Sequence, residues 1–336
     1  MSIAVVQLGA RMHYAVPRIL HAAGRLERLY TDLCATQGWP RLLAHVPRRL
    51  QPGPLARLAG RLPGEVPAAK ISSFPGFAVR YAMRLRAARS ASSAMATYLW
   101  AGARFDQLVL AAGLGEARAV YGFNTASEIV FEEAARRGVR RILEQTIAPR
   151  GVEVALLEGA TDVDREWRAP ICRDPHLDAY VAREAREWAL ADTILCPSAF
   201  VRDALVGCGA EPRKCAVVPY GVDLASYACA ASQDGARAER AEIVILFVGG
   251  IGLRKGVPYL LRAMERLRDL PARCRIVGPW RIDPAFARRA SPPNVEWIGP
   301  IARRDMAAQY AAADLFCLPS LCEGSATATY EALAAG

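Results

Sequence analysis

The chain has 336 residues, of which 53% are hydrophobic and 23% are charged, and its formal net charge is +10 at pH 7. This composition excludes a disordered chain, and the length is sufficient for two domains with their own cores. The nine cysteines contain no Cys-x-x-Cys pair, and no stretch reaches the ~20 apolar residues of a membrane-spanning helix. We therefore expect a cytoplasmic protein without a zinc or disulfide framework.

Apolar runs alternate with helix-like segments in the first half of the chain. Strands are predicted at residues 3–8, 119–121, 139–143 and 193–196, and a helix is predicted at residues 126–137. This alternation is typical of a parallel α/β sheet. Gly9 and His13 follow the first of these strands, and Asn124 follows the second.

The positive charge is concentrated between Gly38 and Arg104. This stretch contains ten arginines and Lys70 but a single acidic residue, Glu65. Parts of this region, at residues 41–50 and 54–62, mix arginines with leucines at helix-like spacing. Such a surface can lie on anionic lipid headgroups. An arginine-rich solvated face is the equal alternative, and nucleic acid is not expected because no recognition motif accompanies the charge.

A second set of strands is predicted at residues 243–248, 274–277, 295–298 and 315–318. Residues 227–241 are small, polar and charged, which favours a surface connection between two sheets. The sequence therefore predicts an N-terminal domain at residues 1–210 and a C-terminal domain at residues 211–336.

Two stretches of the second half contain candidate ligand-binding residues. Lys255 follows the turn Val248-Gly249-Gly250 and is one of three lysines in the chain, so its ammonium can point at phosphate oxygens near a helix start. Glu323 and Glu331 stand eight positions apart across a loop and an Ala-rich helix predicted at residues 327–335. We expect both carboxylates to face one ligand.

Four segments resemble, in the same order, segments of the retaining glycosyltransferases of family 4. They are residues 192–201, 214–223, 245–257 and the Glu-x7-Glu segment at 319–336. The resemblance implies the GT-B fold, in which two Rossmann-like domains with parallel sheets face each other across a cleft. Because the chain stops at Gly336, we expect the second domain to be incomplete.

The resemblance also implies roles for individual residues in donor binding. Lys255 would contact the diphosphate, Glu323 the donor sugar near the reacting centre, and Glu331 the ribose hydroxyls. Backbone N–H groups for the sugar and diphosphate would come from Gly324, Ser325, Ala326 and Thr327. The family commonly has an arginine at the position of Gly250, and Arg254 is a weaker candidate for that charge because adjacent residues at a helix start do not share a face.

In the first domain the resemblance places Gly9, His13 and Asn124 at the acceptor side of the cleft. The implied reaction needs no metal and no cofactor, since the nucleoside diphosphate sugar is a co-substrate. Asp162-Val-Asp164 imitates a metal-binding motif but follows a helix-like stretch instead of a strand. The glycines after residue 248 imitate a dinucleotide fingerprint with wrong spacing, so hydride chemistry is a poor fit.

The implied function is a retaining transfer of a sugar from a nucleoside diphosphate sugar to a glycan, lipid or small molecule. Retention by a covalent intermediate and retention by same-face attack both remain open. One alternative is a catalytically silent GT-B protein on the inner face of the membrane that binds a sugar nucleotide or a partner. A more distant alternative is a sugar-nucleotide epimerase.

Overall fold

The computed structural model describes residues 1–38, 40–42, 58, 60–168, 174–224, 227 and 242–336. The chain divides into two compact units, Met1–Pro149 with Cys172–Val218 and Arg150–Ile171 with Pro219–Gly336. Among the described residues each unit contains one parallel sheet, with seven strands in the first and four in the second. The predicted α/β class with two sheets is therefore confirmed.

The first unit is built on seven parallel strands in the order β3-β2-β1-β4-β5-β6-β7. The strands are β1 (Ile3–Gln7), β2 (Leu26–Thr31), β3 (Ile71–Ser73), β4 (Ala119–Phe123), β5 (Arg140–Glu144), β6 (Thr193–Cys196) and β7 (Cys215–Val217). The helices that the structure describes up to residue 218 are α1 (Ala15–Ala22), α2 (Pro75–Ala87), α3 (Ala91–Ala112), α4 (Glu128–Arg136), α5 (Arg150–Gly159), α6 (Pro175–Leu190) and α7 (Ala199–Gly207). All of these helices except α5 belong to the first unit.

Four strands of this sheet agree with the predicted runs, and three were not predicted. Strand β2 reads Leu-Glu-Arg-Leu-Tyr-Thr and lacks a continuous apolar run, while β3 and β7 have only three residues each. Both β1 and β4 are buried along their whole length, as central strands of a parallel sheet are. The strand order reverses between them, which is where open α/β sheets bind ligands.

A buried charge cluster lies beneath the loop that follows β4. Arg183 of α6 lies 3.1 Å from Asp106, 3.5 Å from Glu187 and 3.6 Å from Glu128. Burial raises the pKa of Asp106 well above its usual range, and Arg183 opposes that shift. Glu187 accepts the backbone N–H groups of Thr125 and Ser127, so the cluster holds the loop in place.

The second unit has four parallel strands in the order β10-β9-β8-β11. The strands are β8 (Ile243–Val248), β9 (Ala272–Val277), β10 (Val295–Gly299) and β11 (Leu315–Phe316). The helices are α8 (Val257–Arg266), α9 (Pro284–Arg289), α10 (Met306–Ala311) and α11 (Thr327–Ala334). The four predicted strands and the predicted terminal helix agree with these elements in their positions along the chain.

The division into units differs from the predicted boundary after residue 210. Helix α5 and the turn Arg165–Trp167 belong to the second unit, because Trp167 is buried against Phe286 with ring centroids 5.4 Å apart. Asp162 pairs with Arg262 at 2.6 Å. A helical pattern in the sequence predicts which face of a helix is apolar, but it does not predict which sheet that face packs against.

Of the predicted membrane surface, residues 39, 43–57 and 59 lie outside the described part of the chain, as does most of the predicted connection at 227–241. Helix α2 is described, and it exposes Val79 and Met83. Among the described residues no helix combines the length and apolar character needed to cross a membrane.

Candidate functional site

The glycine turn, residues 249–252, begins where β8 ends. The backbone N–H of Gly249 donates to the Val277 carbonyl at 2.9 Å, and that of Ile251 donates to the Pro279 carbonyl at 2.9 Å. A Cβ on Gly278 would lie 1.9 Å from the Gly249 carbonyl oxygen, so only glycine permits this contact. The turn is therefore fixed against the carboxyl end of β9.

Gly256 joins the glycine turn to the loop that carries Glu323. Its φ is 70°, and a Cβ there would lie 1.7 Å from the Pro319 carbonyl oxygen. The Leu321 N–H donates to the Arg254 carbonyl at 2.9 Å. Because β8 and β11 are neighbouring parallel strands, the segments at their carboxyl ends meet at one edge of the sheet.

Lys255 and Glu323 form an ion pair at this edge. The Lys255 side chain is 14% exposed and that of Glu323 is 24% exposed, so both are within reach of a ligand but shielded from bulk water. Burial lowers the pKa of the Lys255 ammonium, and Glu323 opposes that shift by stabilising the charged form.

Arg254 also reaches Glu323, with 3.4 Å between Nη1 and Oε1. The expectation that Arg254 and Lys255 do not share a face is therefore wrong. Both residues belong to the short 3-10 turn Leu253–Lys255, and α8 begins only at Val257. Arg254 further donates to the Cys322 carbonyl at 3.0 Å and lies 3.7 Å from Glu153 of α5, which the sequence did not suggest.

Glu331 lies in α11 and has partners of its own. Its Oε2 accepts the Tyr310 hydroxyl at 2.8 Å, and its Oε1 lies 3.9 Å from Arg303. Burial, with Glu331 adding to it, raises the pKa of Tyr310 and raises that of Tyr227 to about 12. The structure thus brings Lys255, Arg254 and Glu323 into contact, whereas Glu331 contacts a separate set of residues on α10 and nearby.

The loop between β11 and α11 contains the predicted backbone donors Gly324, Ser325 and Ala326, and Thr327 opens the helix. Ala326 occupies the N-cap position and has no side chain that can accept a hydrogen bond. The first N–H groups of α11 therefore have no side-chain cap, which leaves them able to donate to an anion.

The predicted residues of the first unit follow β1 and β4. Gly9 has φ 85°, and its N–H donates to Asp32 at 3.0 Å. His13 is exposed, and it lies with Met12 and Tyr14 in a run of three non-glycine residues with positive φ. Such strained backbone is concentrated at functional sites.

Asn124 is buried at the end of β4, and its Oδ1 accepts the Thr146 hydroxyl at 3.0 Å. That hydroxyl oxygen also accepts from Arg11 at 3.1 Å, while the Arg11 guanidinium lies over the Phe123 ring. The sequence did not single out Arg11 or Thr146. Both follow strands of the sheet, β1 and β5, so the rule that ligands bind at carboxyl ends would have identified them.

Two further features lie apart from the predicted donor residues. Asp162 of the imitated metal motif accepts the Tyr259 hydroxyl at 3.0 Å and pairs with Arg262. A pocket of the second unit, lined by Trp167 and Leu261 among others, contains none of the predicted site residues. Among the described residues no group of three or more His, Cys, Asp or Glu side chains could hold a metal ion.

Comparison with known proteins adds evidence about the second unit. Residues 242–336 match the family model of the glycosyl transferases group 1. The D-inositol 3-phosphate glycosyltransferase of Kineococcus radiotolerans is 36% identical over 148 residues, which cover 38% of this chain and 33% of the relative. The MMP alpha-(1->4)-mannosyltransferase of Mycolicibacterium hassiacum is 28% identical over 183 residues, covering 51% and 41% respectively. The chain thus matches less than half the length of each of these two curated relatives.

A solved structure supports the same architecture over the whole chain. The structure of trehalose-6-phosphate from E. coli bound with UDP-2-fluoro glucose has a TM-score of 0.62 and 14% identity, and the match covers 100% of this chain and 82% of that one. At this identity the likeness concerns the fold. The chain therefore has the GT-B fold, and its residues 242–336 are similar to the glycosyl transferases group 1.

Proposed function

We propose that the protein is a retaining glycosyltransferase that uses a nucleoside diphosphate sugar as its donor. The observation that carries this proposal is the contact between Lys255 and Glu323 beside the glycine turn. This contact places a cation suited to a diphosphate next to a carboxylate suited to sugar hydroxyls. The group 1 match over residues 242–336 and the UDP-sugar bound by the solved relative support the same donor class.

In the proposed reaction, the bond between the anomeric carbon and the diphosphate oxygen breaks, and a bond from that carbon to an acceptor oxygen forms. The departing oxygen takes the acceptor proton, so no separate base is needed. Lys255 stabilises the negative charge that develops on the leaving diphosphate. Attack on the face from which the diphosphate leaves retains the configuration.

We assign Glu323 to the donor sugar and Glu331 to the ribose hydroxyls. Because Glu323 pairs with Lys255, the proposed contacts to the sugar and to the diphosphate come from two neighbouring side chains. Glu331 retains acceptor capacity beyond its bond from Tyr310, because a carboxylate accepts about four hydrogen bonds. The acceptor-side residues that the resemblance implies, Gly9, His13 and Asn124 of the first unit, stay a prediction.

The test is a turnover screen with UDP-, GDP-, ADP- and dTDP-sugars. Turnover is measured as the release of the nucleoside diphosphate, and NMR determines the anomeric configuration of the product. Transfer or slow hydrolysis with a retained anomer supports the proposal. Binding without turnover favours the catalytically silent alternative, and an inverted anomer contradicts the retaining assignment.

We also propose that helix α2 meets an anionic membrane surface. It exposes Val79 and Met83 one turn apart, 44% and 67% exposed, and the exposed arginines 80, 84 and 86 surround them. Apolar side chains among arginines suit a headgroup layer.

Substituting Met83→Asp is therefore expected to weaken retention on phosphatidylglycerol vesicles several-fold, by roughly 1 kcal/mol or more. Retention of the unchanged protein should fall as salt is raised. Leu270→Asp, at a residue of the second unit that is 58% exposed, is the matched control and should bind normally. Equal retention of both variants, or no retention at low salt, would contradict a membrane role for α2.

A further inference from the structure

Arg281 lies in the segment that follows β9 and is attached to the glycine turn. Its backbone N–H donates to the Ile251 carbonyl at 3.0 Å, and the preceding residue, Trp280, pairs with Ile251 as an isolated parallel bridge. Backbone pairing with the glycine turn therefore fixes the position of Arg281.

The side chain of Arg281 lies in the space that the glycines leave open. A Cβ on Gly250 would lie 3.4 Å from both Cγ and Nε of Arg281, and a Cβ on Gly252 would lie 3.3 Å from its Cβ. On the adjacent residue, a Cβ on Gly249 would lie 3.5 Å from Cδ and Cε of Lys255. The side chains of Lys255 and Arg281 thus lie beside two consecutive glycines of the turn.

The three cationic residues near the turn, Lys255, Arg254 and Arg281, differ in the carboxylates with which they pair. Lys255 pairs with Glu323, and Arg254 is shared between Glu323 and Glu153. Arg281 is exposed, and within the described part of the chain no carboxylate forms an ion pair with it. Of the three cations, Arg281 is therefore the one that has no carboxylate partner among the described residues.

We propose that Arg281 binds the diphosphate of the nucleotide sugar together with Lys255, an inference that rests on the proposed function. A diphosphate presents several anionic oxygens, and one ammonium that already faces a carboxylate compensates them only in part. A guanidinium can donate two parallel hydrogen bonds to phosphate oxygens. Arg254, committed to Glu323, Glu153 and the Cys322 carbonyl, instead holds the loop of Glu323 against the turn.

The experiment measures binding of ADP, GDP, UDP and dTDP, and of the matching nucleosides, by calorimetry on the full chain. For the diphosphate that the unchanged protein binds, Arg281→Ala is expected to weaken binding about 10- to 100-fold. Binding of the nucleoside alone should not change, because it has no phosphate. Arg281→Lys should recover part of the loss, since it restores a charge but not the paired donors.

Arg289→Ala removes the same charge from the nearby exposed end of α9 and is the matched control, expected to bind as the unchanged protein does. Diphosphate affinity of Arg281→Ala within about twofold of the control would overturn the role of Arg281 while leaving the proposed function standing. An equal loss for nucleoside and diphosphate would also overturn it. If no nucleoside diphosphate binds the unchanged protein, the proposed function fails and this inference fails with it.

Discussion

Lys255→Ala is expected to lower the rate of sugar transfer by at least about 100-fold, the effect of removing one preorganised donor from a developing oxyanion. The ammonium is held at the carboxyl edge of the second sheet by its ion pair with Glu323, where low exposure strengthens its interaction with a leaving diphosphate. The measurement is the single-turnover rate with the donor identified in the screen.

The fold should persist in this variant, because the lysine lies on a 3-10 turn and Glu323 keeps Arg254 as a partner. Arg266→Ala, at the exposed last residue of α8, removes one positive charge from the same helix region and should transfer at the normal rate. A normal rate in Lys255→Ala, with thermal unfolding unchanged, would refute the assignment of Lys255 to the diphosphate.

Gly256→Ala is expected to destabilise the second unit by about 2–5 kcal/mol and to weaken nucleotide binding at the same time. The added Cβ would have to occupy space 1.7 Å from the Pro319 carbonyl oxygen, at a residue whose φ is 70°. The glycine turn and the loop of Glu323 would have to separate, which would move Glu323 away from Lys255. Urea unfolding and nucleotide titration measure the two effects.

Gly138→Ala separates the two causes of this loss. Gly138 has a nearly identical φ of 67°, but a Cβ there meets nothing within 4 Å. Its substitution should therefore cost only the backbone term of about 1–2 kcal/mol and leave nucleotide binding unchanged. If the two variants lose the same stability, close packing against Pro319 is not what requires glycine at position 256.

Much of the candidate site could be predicted because its parts are short and local in sequence. A buried run such as Ile243–Val248 followed by two glycines and a lysine indicates a strand, a turn and an anion site without reference to any other part of the chain. The positions of the four strands along the second unit follow from the same local patterns. The expectation for Arg254 was wrong because the length of a 3-10 turn before a helix is not encoded by apolar spacing.

Arg281 and Glu153 could not be found in this way, since each meets its partners across a long sequence separation. Arg254 and Glu153 are about a hundred residues apart, and their approach depends on α5 packing with the second unit. Likewise the charge cluster around Arg183 is visible only once α3, α4 and α6 are packed together. Helical spacing predicts that these faces are buried, but not which charges they meet.

The sequence alone therefore determined the two parallel sheets, the glycine turn with Lys255 and the late glutamate pair. Apolar periodicity is a local property, and it does not depend on what a segment packs against. Only the tertiary structure decided that Glu323 contacts Lys255 and Arg254 while Glu331 contacts Tyr310, and that Arg281 lies on the glycine turn. Contacts of this kind depend on strand order and on crossover packing, which bring distant residues to one edge of a sheet.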